Sequence, residues 1–316
     1  MNSSWVDIHI HGQNGLDVMS SDPEEVQELT IQLLKQGIVA FVPTLMTAPP
    51  SRMLQSLEVI KKIKGRELGA KILGVHLEGP FLNPKFRGVH PLKNISVMDP
   101  KQLKEWVKIG EGLIKIITLA PEIPGVLHQV AWLKDQGIVV SMGHSQATYQ
   151  EAKQGKLQGA KSVTHLFNAM RPFHHREPGL IGLALEDQEL YTELIADGVH
   201  LADKTVQFVL QWRPSSKIIL VSDNCPLSLK PQGSYQWNHC SIQVHSDSSL
   251  RTRQGVLAAS YLSLSQIIRR LLHLKIISSI QARQFAFHNP LCLLGIDEKI
   301  FFKKGKGKSV TASGMN

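Results

Sequence analysis

Residues 5–11 read Trp5-Val6-Asp7-Ile8-His9-Ile10-His11, a short apolar run rich in branched side chains that ends in two histidines. Such a run is too short for a helix. It is followed by Asp22-Pro23-Glu24, a capping residue with proline at the first helical position and an acidic residue in the first turn. The same unit, an apolar strand and then a polar helical stretch, recurs along the chain. Its other strands are Ile38–Pro43, Lys71–Leu77, Leu113–Leu119, Ile138–Met142, Ser162–His165, Tyr191–Ala196 and Lys217–Ser222. Asp99-Pro100 marks another helix start, and Gly37 and Gly137 fall between a helix and the next strand, where a left-handed cap belongs. Eight units, each of about 30 residues, predict an α/β fold: a closed (β/α)8 TIM barrel, with an open doubly wound sheet as the alternative that periodicity leaves standing. Tyr235–Leu257 reads as a hairpin insertion after the eighth strand, with two more helices near Ser263–Leu274 and Ser279–Phe287. The expected organisation is one barrel domain over 1–295 and a short basic tail over 296–316.

Composition narrows the function classes. The 316 residues, 42% of them apolar and 19% charged, suffice for a sizeable core. No apolar run approaches the roughly 18 residues that would span a bilayer, and Met1 to Val6 lacks the basic start and apolar stretch of a signal peptide. The expectation is a cytoplasmic protein with no membrane partner. Cys225, Cys240 and Cys292 are odd in number and widely spaced, so neither a disulfide framework nor a thiolate zinc site is indicated. The net charge of +9 suits an anionic partner. That partner could be nucleic acid, an anionic membrane surface or a small phosphorylated substrate, and charge alone does not choose among them; much of the local excess lies in the tail from Lys299 to Lys308, and no basic helix face with the interleaved aromatics of single-strand binding is present.

In a barrel of this kind chemistry gathers at the carboxyl ends of the strands. There stand His9 and His11; His76-Leu77-Glu78-Gly79-Pro80; Gly143-His144-Ser145; Thr164-His165; Asp197-Gly198-Val199-His200; and Ser222-Asp223. His9 and His11, two apart on a strand, point to the same face. One histidine at a strand end is usually a hydrogen-bonded polar residue. Four of them with a glutamate need a shared partner, because buried unpaired polar groups cost free energy, and a divalent metal supplies it. Imidazole with carboxylate suits zinc, with ferrous iron as the alternative. Asp223 either caps a turn or, beside a metal, exchanges a proton with activated water.

These segments carry a resemblance. DIHIHG (7–12), HLEGPFLNP (76–84), SMGHSQAT (141–148), THLFNAM (164–170) followed by HREPG (175–179), IADGVH (195–200) and LVSD (220–223) stand in the order and spacing of N-acetylglucosamine-6-phosphate deacetylases of the amidohydrolase superfamily. The likeness runs from Val6 to about Gly295. It implies metal-dependent hydrolysis of the acetamide of a small amino sugar phosphate, N-acetylglucosamine 6-phosphate, to the amine and acetate. It also implies that Glu78, His144 and His165 hold one metal and that His9 and His11 hold a second in two-metal members. Asp223 then resembles the proton-transfer residue, and His90 the histidine that polarises the acetyl carbonyl. Asn168, Ala169, Arg176 and His200 resemble substrate-binding positions, the first two through backbone amides on the phosphate. The resemblance also implies a small β-sandwich beside the barrel, of which the tail over 296–316 would be a remnant, and a homodimer as a possible assembly. Ser222-Asp223-Asn224-Cys225-Pro226 and Ala259-Ser260-Tyr261 depart from the family's Thr-Asp-Ala and Gly-Ser, which leaves three readings open: the galactosamine epimer as substrate, another amide, or a barrel that binds a sugar phosphate without turnover.

Overall fold

The computed structural model describes residues 4–301. Eight parallel strands follow one another around one sheet: β1 (Trp5–Ile10), β2 (Ile38–Met46), β3 (Val75–Glu78), β4 (Ile114–Leu119), β5 (Val139–Met142), β6 (Ser162–Val163), β7 (Tyr191–Leu194) and β8 (Ile218–Leu220). Lys71–Ile72, expected as part of the third strand, pairs with β2 as a separate piece. Closure decides between barrel and open sheet. Just past β8, Asp223 N–H donates to His9 O at 2.9 Å and His11 N–H donates to Asn224 O at 2.7 Å, so the last strand is joined to the first. This is the (β/α)8 barrel.

Helices α1 (Pro23–Lys35), α2 (Pro50–Ile63), α3 (Pro100–Gly110), α4 (Val126–Asp135), α5 (Tyr149–Gln158), α6 (Gly179–Glu186) and α7 (Asp203–Trp212) connect the strands. Their starts follow local chemistry: Asp22 accepts from Glu24 N–H at 2.9 Å, and Asp99 from Lys101 N–H at 2.9 Å, each just ahead of a proline that has no N–H to satisfy. Gly37 (φ 84°) and Gly137 (φ 72°) make the left-handed turns back into β2 and β5. The helices cover the barrel with a continuous apolar layer, for example Leu29 and Leu33 of α1, Leu57 and Ile60 of α2 and Trp106 of α3. Burying each such side chain contributes about 1.5–3 kcal/mol. A second cluster joins Val6, Ile8, Val42, Ile116 and Ile219 to Phe287 and Leu291, which lie beyond the last barrel strand in sequence.

After β8 the chain makes not a hairpin but a four-stranded antiparallel meander: β9 (Gly233–Trp237), β10 (Cys240–Val244), β11 (Ser249–Thr252) and β12 (Leu257–Ser260). It is followed by α8 (Leu264–His273) and a helical run over 279–294 that contains a π-turn at Gln284–His288. Of the basic tail expected over 296–316, Glu298–Phe301 forms a single 3₁₀ turn, and 302–316 lie outside the described residues. No helix among the described residues is long and apolar enough to cross a membrane.

Candidate metal centre and active site

The centre forms around Glu78, the last residue of β3. Its Oε1 lies 3.3 Å from His9 Nε2, 3.1 Å from His144 Nε2 and 3.3 Å from His165 Nε2, and its Oε2 lies 3.4 Å from His11 Nε2 and 3.1 Å from His90 Nε2. Asp223 Oδ1 stands 3.5 Å from His9 Nε2 and 3.2 Å from His11 Nε2. The other proposed ligands, His9, His11, His144 and His165, therefore all lie within 3.4 Å of Glu78, although the five come from the ends of four strands spread over about half the chain. His144 (φ 48°), His165 (φ 30°) and Asp223 (φ 51°) sit in the left-handed region, where the chain turns abruptly off a strand end. Such backbone is costly and persists where surrounding structure enforces it.

What lies behind each ring decides which nitrogen faces inward. His11 Nδ1 is 2.9 Å from Thr44 O, His144 Nδ1 is 2.7 Å from Phe86 O, His165 Nδ1 is 3.2 Å from Asn168 O, and His9 Nδ1 is 3.0 Å from Glu193 Oε2. These partners only accept, so Nδ1 carries the hydrogen and the Nε2 lone pairs converge. His90 is different. Thr47 N–H donates to its Nδ1 at 3.3 Å and the Thr47 hydroxyl lies 2.9 Å from the same nitrogen, so its ring hydrogen belongs on Nε2 as a donor toward the centre.

Two features fit a divalent cation. His9 Nε2 is buried without a hydrogen-bond partner among the described residues, and the His144 and His165 Nε2 atoms face each other at 3.1 Å, a pairing that a cation between or beside the two lone pairs relieves. The electrostatics agree. Burial works against charge on His9, yet Glu78 and Asp223 raise its proton affinity well above the usual histidine value. Burial also works to raise both carboxyls. The neighbouring imidazoles overcome it, holding Glu78 well below the carboxylate range and Asp223 at about 2. A site whose carboxylates stay ionised while buried is a site that attracts cations. Burial lowers His90 to about 4, so its ring is neutral near pH 7.

The centre opens into a pocket of about 260 Å³ lined by His11, Glu78, His90, His144, His165 and Asp223 below and by Lys85, Asn168, Ala169, His200 and Trp237 at its sides. Of the anticipated substrate contacts, Asn168, Ala169 and His200 line it. His200 is held by Asp197, whose Oδ2 is 2.8 Å from His200 Nδ1. Arg176 does not line the pocket: it is exposed in the loop after β6, with Nη1 2.9 Å from His175 Nε2. Lys85, Trp237 and Glu193 were not anticipated. Trp237 is carried by β9, and its ring centroid lies 5.9 Å from that of His11. The departure at Asn224 explains how the meander is held there. Buried Asn224 donates from Nδ2 to Ser260 O and Leu262 O, both at 2.9 Å, and accepts from Gln13 Nε2 at 2.9 Å, tying the end of β8 to β12.

Residues 4–234 match the Amidohydrolase family. The chain is 37% identical over 270 residues to N-acetylglucosamine-6-phosphate deacetylase of Bacillus subtilis (strain 168), covering 84% of this chain and 68% of that protein. It is 32% identical over 311 residues to N-acetylgalactosamine-6-phosphate deacetylase of Escherichia coli O157:H7, covering 98% of this chain and 82% of that one. Among solved structures, N-acetylglucosamine-6-phosphate deacetylase of Thermotoga maritima superposes with a TM-score of 0.86 at 30% identity, covering 93% of this chain and 78% of that one.

Proposed function

The chain belongs to the amidohydrolase family, and on that premise we propose that it hydrolyses the acetamide of N-acetylglucosamine 6-phosphate to glucosamine 6-phosphate and acetate. The observation that carries the reading is the convergence of four inward-facing imidazoles and two ionised carboxylates at the floor of a pocket with a lysine at its side. Glu78, His144 and His165 would hold one divalent metal, and His9 and His11, with Asp223 beside them, a second; bound there, the metal polarises a carbonyl and brings the pKa of water to about 7. Zinc fits this donor set best, with ferrous iron second.

The side chains supply the rest. Asp223, ionised and aimed between His9 and His11, accepts a proton from the attacking water and returns it to the departing amine. His90, neutral and with its Nε2 hydrogen facing inward, donates to the acetyl oxygen as negative charge develops there. The Asn168 N–H is already donated to His165 O at 2.9 Å, so the Lys85 ammonium and the backbone at Ala169, which turns with φ 49°, are the groups on this wall suited to the sugar phosphate. A phosphorylated substrate of this kind belongs in the cytoplasm.

The Escherichia coli O157:H7 relative acts on the galactosamine epimer, so the test compares epimers. Acetate release is measured with metal-loaded protein on N-acetylglucosamine 6-phosphate, N-acetylgalactosamine 6-phosphate and unphosphorylated N-acetylglucosamine. Turnover is expected on the first and loss of it without the phosphate. Faster turnover of the galactosamine epimer reassigns the substrate. Binding without turnover by folded, metal-loaded protein overturns the reading in favour of a barrel that only binds.

A further inference from the structure

Beneath the ligands lies Glu193 of β7, a carboxylate with 0% exposure inside the barrel and no place in the pocket lining. Its Oε2 is 3.0 Å from His9 Nδ1 and accepts from His165 N–H at 3.4 Å. Its Oε1 has no hydrogen-bond partner among the described residues, and its ion-pair partner there is His9. The contrast with the other ligand rings is chemical. His11, His144 and His165 rest on backbone carbonyls, neutral acceptors that fix the tautomer and hold the ring but carry no charge. A carboxylate fixes the tautomer, orients the ring and pushes electron density toward Nε2, strengthening it as a ligand.

Glu193 is also hard to explain as part of the packing. A buried carboxylate with one oxygen unpartnered costs stability, and no lysine or arginine among the described residues forms an ion pair with it. Volume alone would be filled better by leucine, as at Leu194 next to it. Positive charge on the far side of the His9 ring is what makes the carboxylate favourable.

We propose that Glu193 is a positioning residue that sets how tightly the His9 and His11 half of the centre holds a divalent cation. The inference rests on the metal-centre reading above and not on the identity of the substrate. Glu193→Leu removes the charge and the acceptor while keeping an apolar filling. Glu193→Gln keeps an oxygen that can accept from His9 Nδ1–H and removes only the charge.

The test titrates metal-stripped wild type and both variants with Zn²⁺ alone, reading stoichiometry and dissociation constants against a chromophoric chelator, with thermal melts of each metal-free protein. Glu193→Leu is expected to weaken one class of zinc site by about 10–100-fold, with a smaller loss in Glu193→Gln. The ion held by Glu78, His144 and His165 should keep its affinity. Metal-free Glu193→Leu should melt at or above the wild-type temperature, because the unpartnered oxygen is gone. A packing role moves the two readouts the other way, lowering the melting temperature and leaving zinc affinity unchanged, and that result overturns the proposal. If Glu193→Leu fails to fold, unchanged zinc affinity in Glu193→Gln overturns it as well. Wild type that takes up no zinc overturns the metal-centre reading and this proposal together. Failure of acetate release with zinc binding intact bears on the substrate alone.

Discussion

The floor of the pocket and its walls are built by different parts of the chain. The floor consists of strand-end residues, His9, His11, Glu78, His144, His165 and Asp223, whose positions follow from barrel closure and whose rings are locked from behind by β-strand neighbours or adjacent backbone. The walls come from loops and the inserted meander: Lys85 in the 3₁₀ turn Pro84–Phe86 after β3, Asn168 and Ala169 after β6, His200 after β7, and Trp237 on β9. The difference teaches a division of labour, in which a rigid barrel fixes the chemistry and the attached segments fix what is brought to it.

That division can be broken most directly at Asp223. Asp223→Asn should lower kcat for acetate release by about 10²–10⁴-fold, while KM and the melting temperature stay near those of the wild type; a raised KM with kcat unchanged instead would place Asp223 in the wall rather than the floor. On the other side, Trp237→Ala should raise KM by about 10–200-fold, as loss of a substrate contact worth about 1–3 kcal/mol does, with little change in kcat. Steady-state kinetics on the two variants therefore separate floor from wall. A large kcat effect at Trp237 would erase the distinction.

Smaller effects sharpen it. Burial acts to raise the Asp197 carboxyl, but its hydrogen bond to His200 and the backbone N–H groups of His200 and Val199 hold it below its ordinary value of 3.8. The folded value is the lower one, so Asp197 contributes stability above pH 3.8 and loses it as pH falls through the folded value. Asp197→Ala should cost about 1–3 kcal/mol near neutral pH, and denaturant melts should find that difference shrinking in acid. A constant difference across pH would show that the charged form is not what holds His200. The smallest expected effect is in thiol labelling. Cys225, two residues after Asp223, is fully buried and pushed up to about 12, whereas Cys240 on the meander is half-buried and Cys292 is exposed. Cys292 should label first, Cys240 next and Cys225 only on unfolding, as read by mass spectrometry of labelled peptides. Labelling of Cys225 in the native state would mean that the segment following Asp223 opens.

Legibility follows the same line between floor and wall. Asp22, Asp99, Gly37 and Gly137 announce helix ends through chemistry confined to a few residues, and the barrel units could be counted from them. Glu193 stayed hidden because it is a single charged residue in the short strand Tyr191-Thr192-Glu193-Leu194, and only the register with β6 and β8 turns its carboxylate toward His9. The meander read as a hairpin because β12, Leu257-Ala258-Ala259-Ser260, has little strand propensity of its own and is held by pairing with β11 and by Asn224. Arg176, matched by motif to the substrate, lies in an exposed loop off the pocket.

What the amino-acid sequence determined by itself is the repeating unit and the identity of the ligand-type residues at its strand ends, because strand and helix periodicity and the placement of polar residues at the end of an apolar run are local properties. Tertiary structure alone decided that the last strand closes on the first, that Nε2 rather than Nδ1 faces inward at four histidines, that Glu193 stands behind His9 and that Trp237 reaches the pocket. Each of these depends on contacts between segments far apart in the chain, whose energies are set by register and closure and not by any residue's own preference.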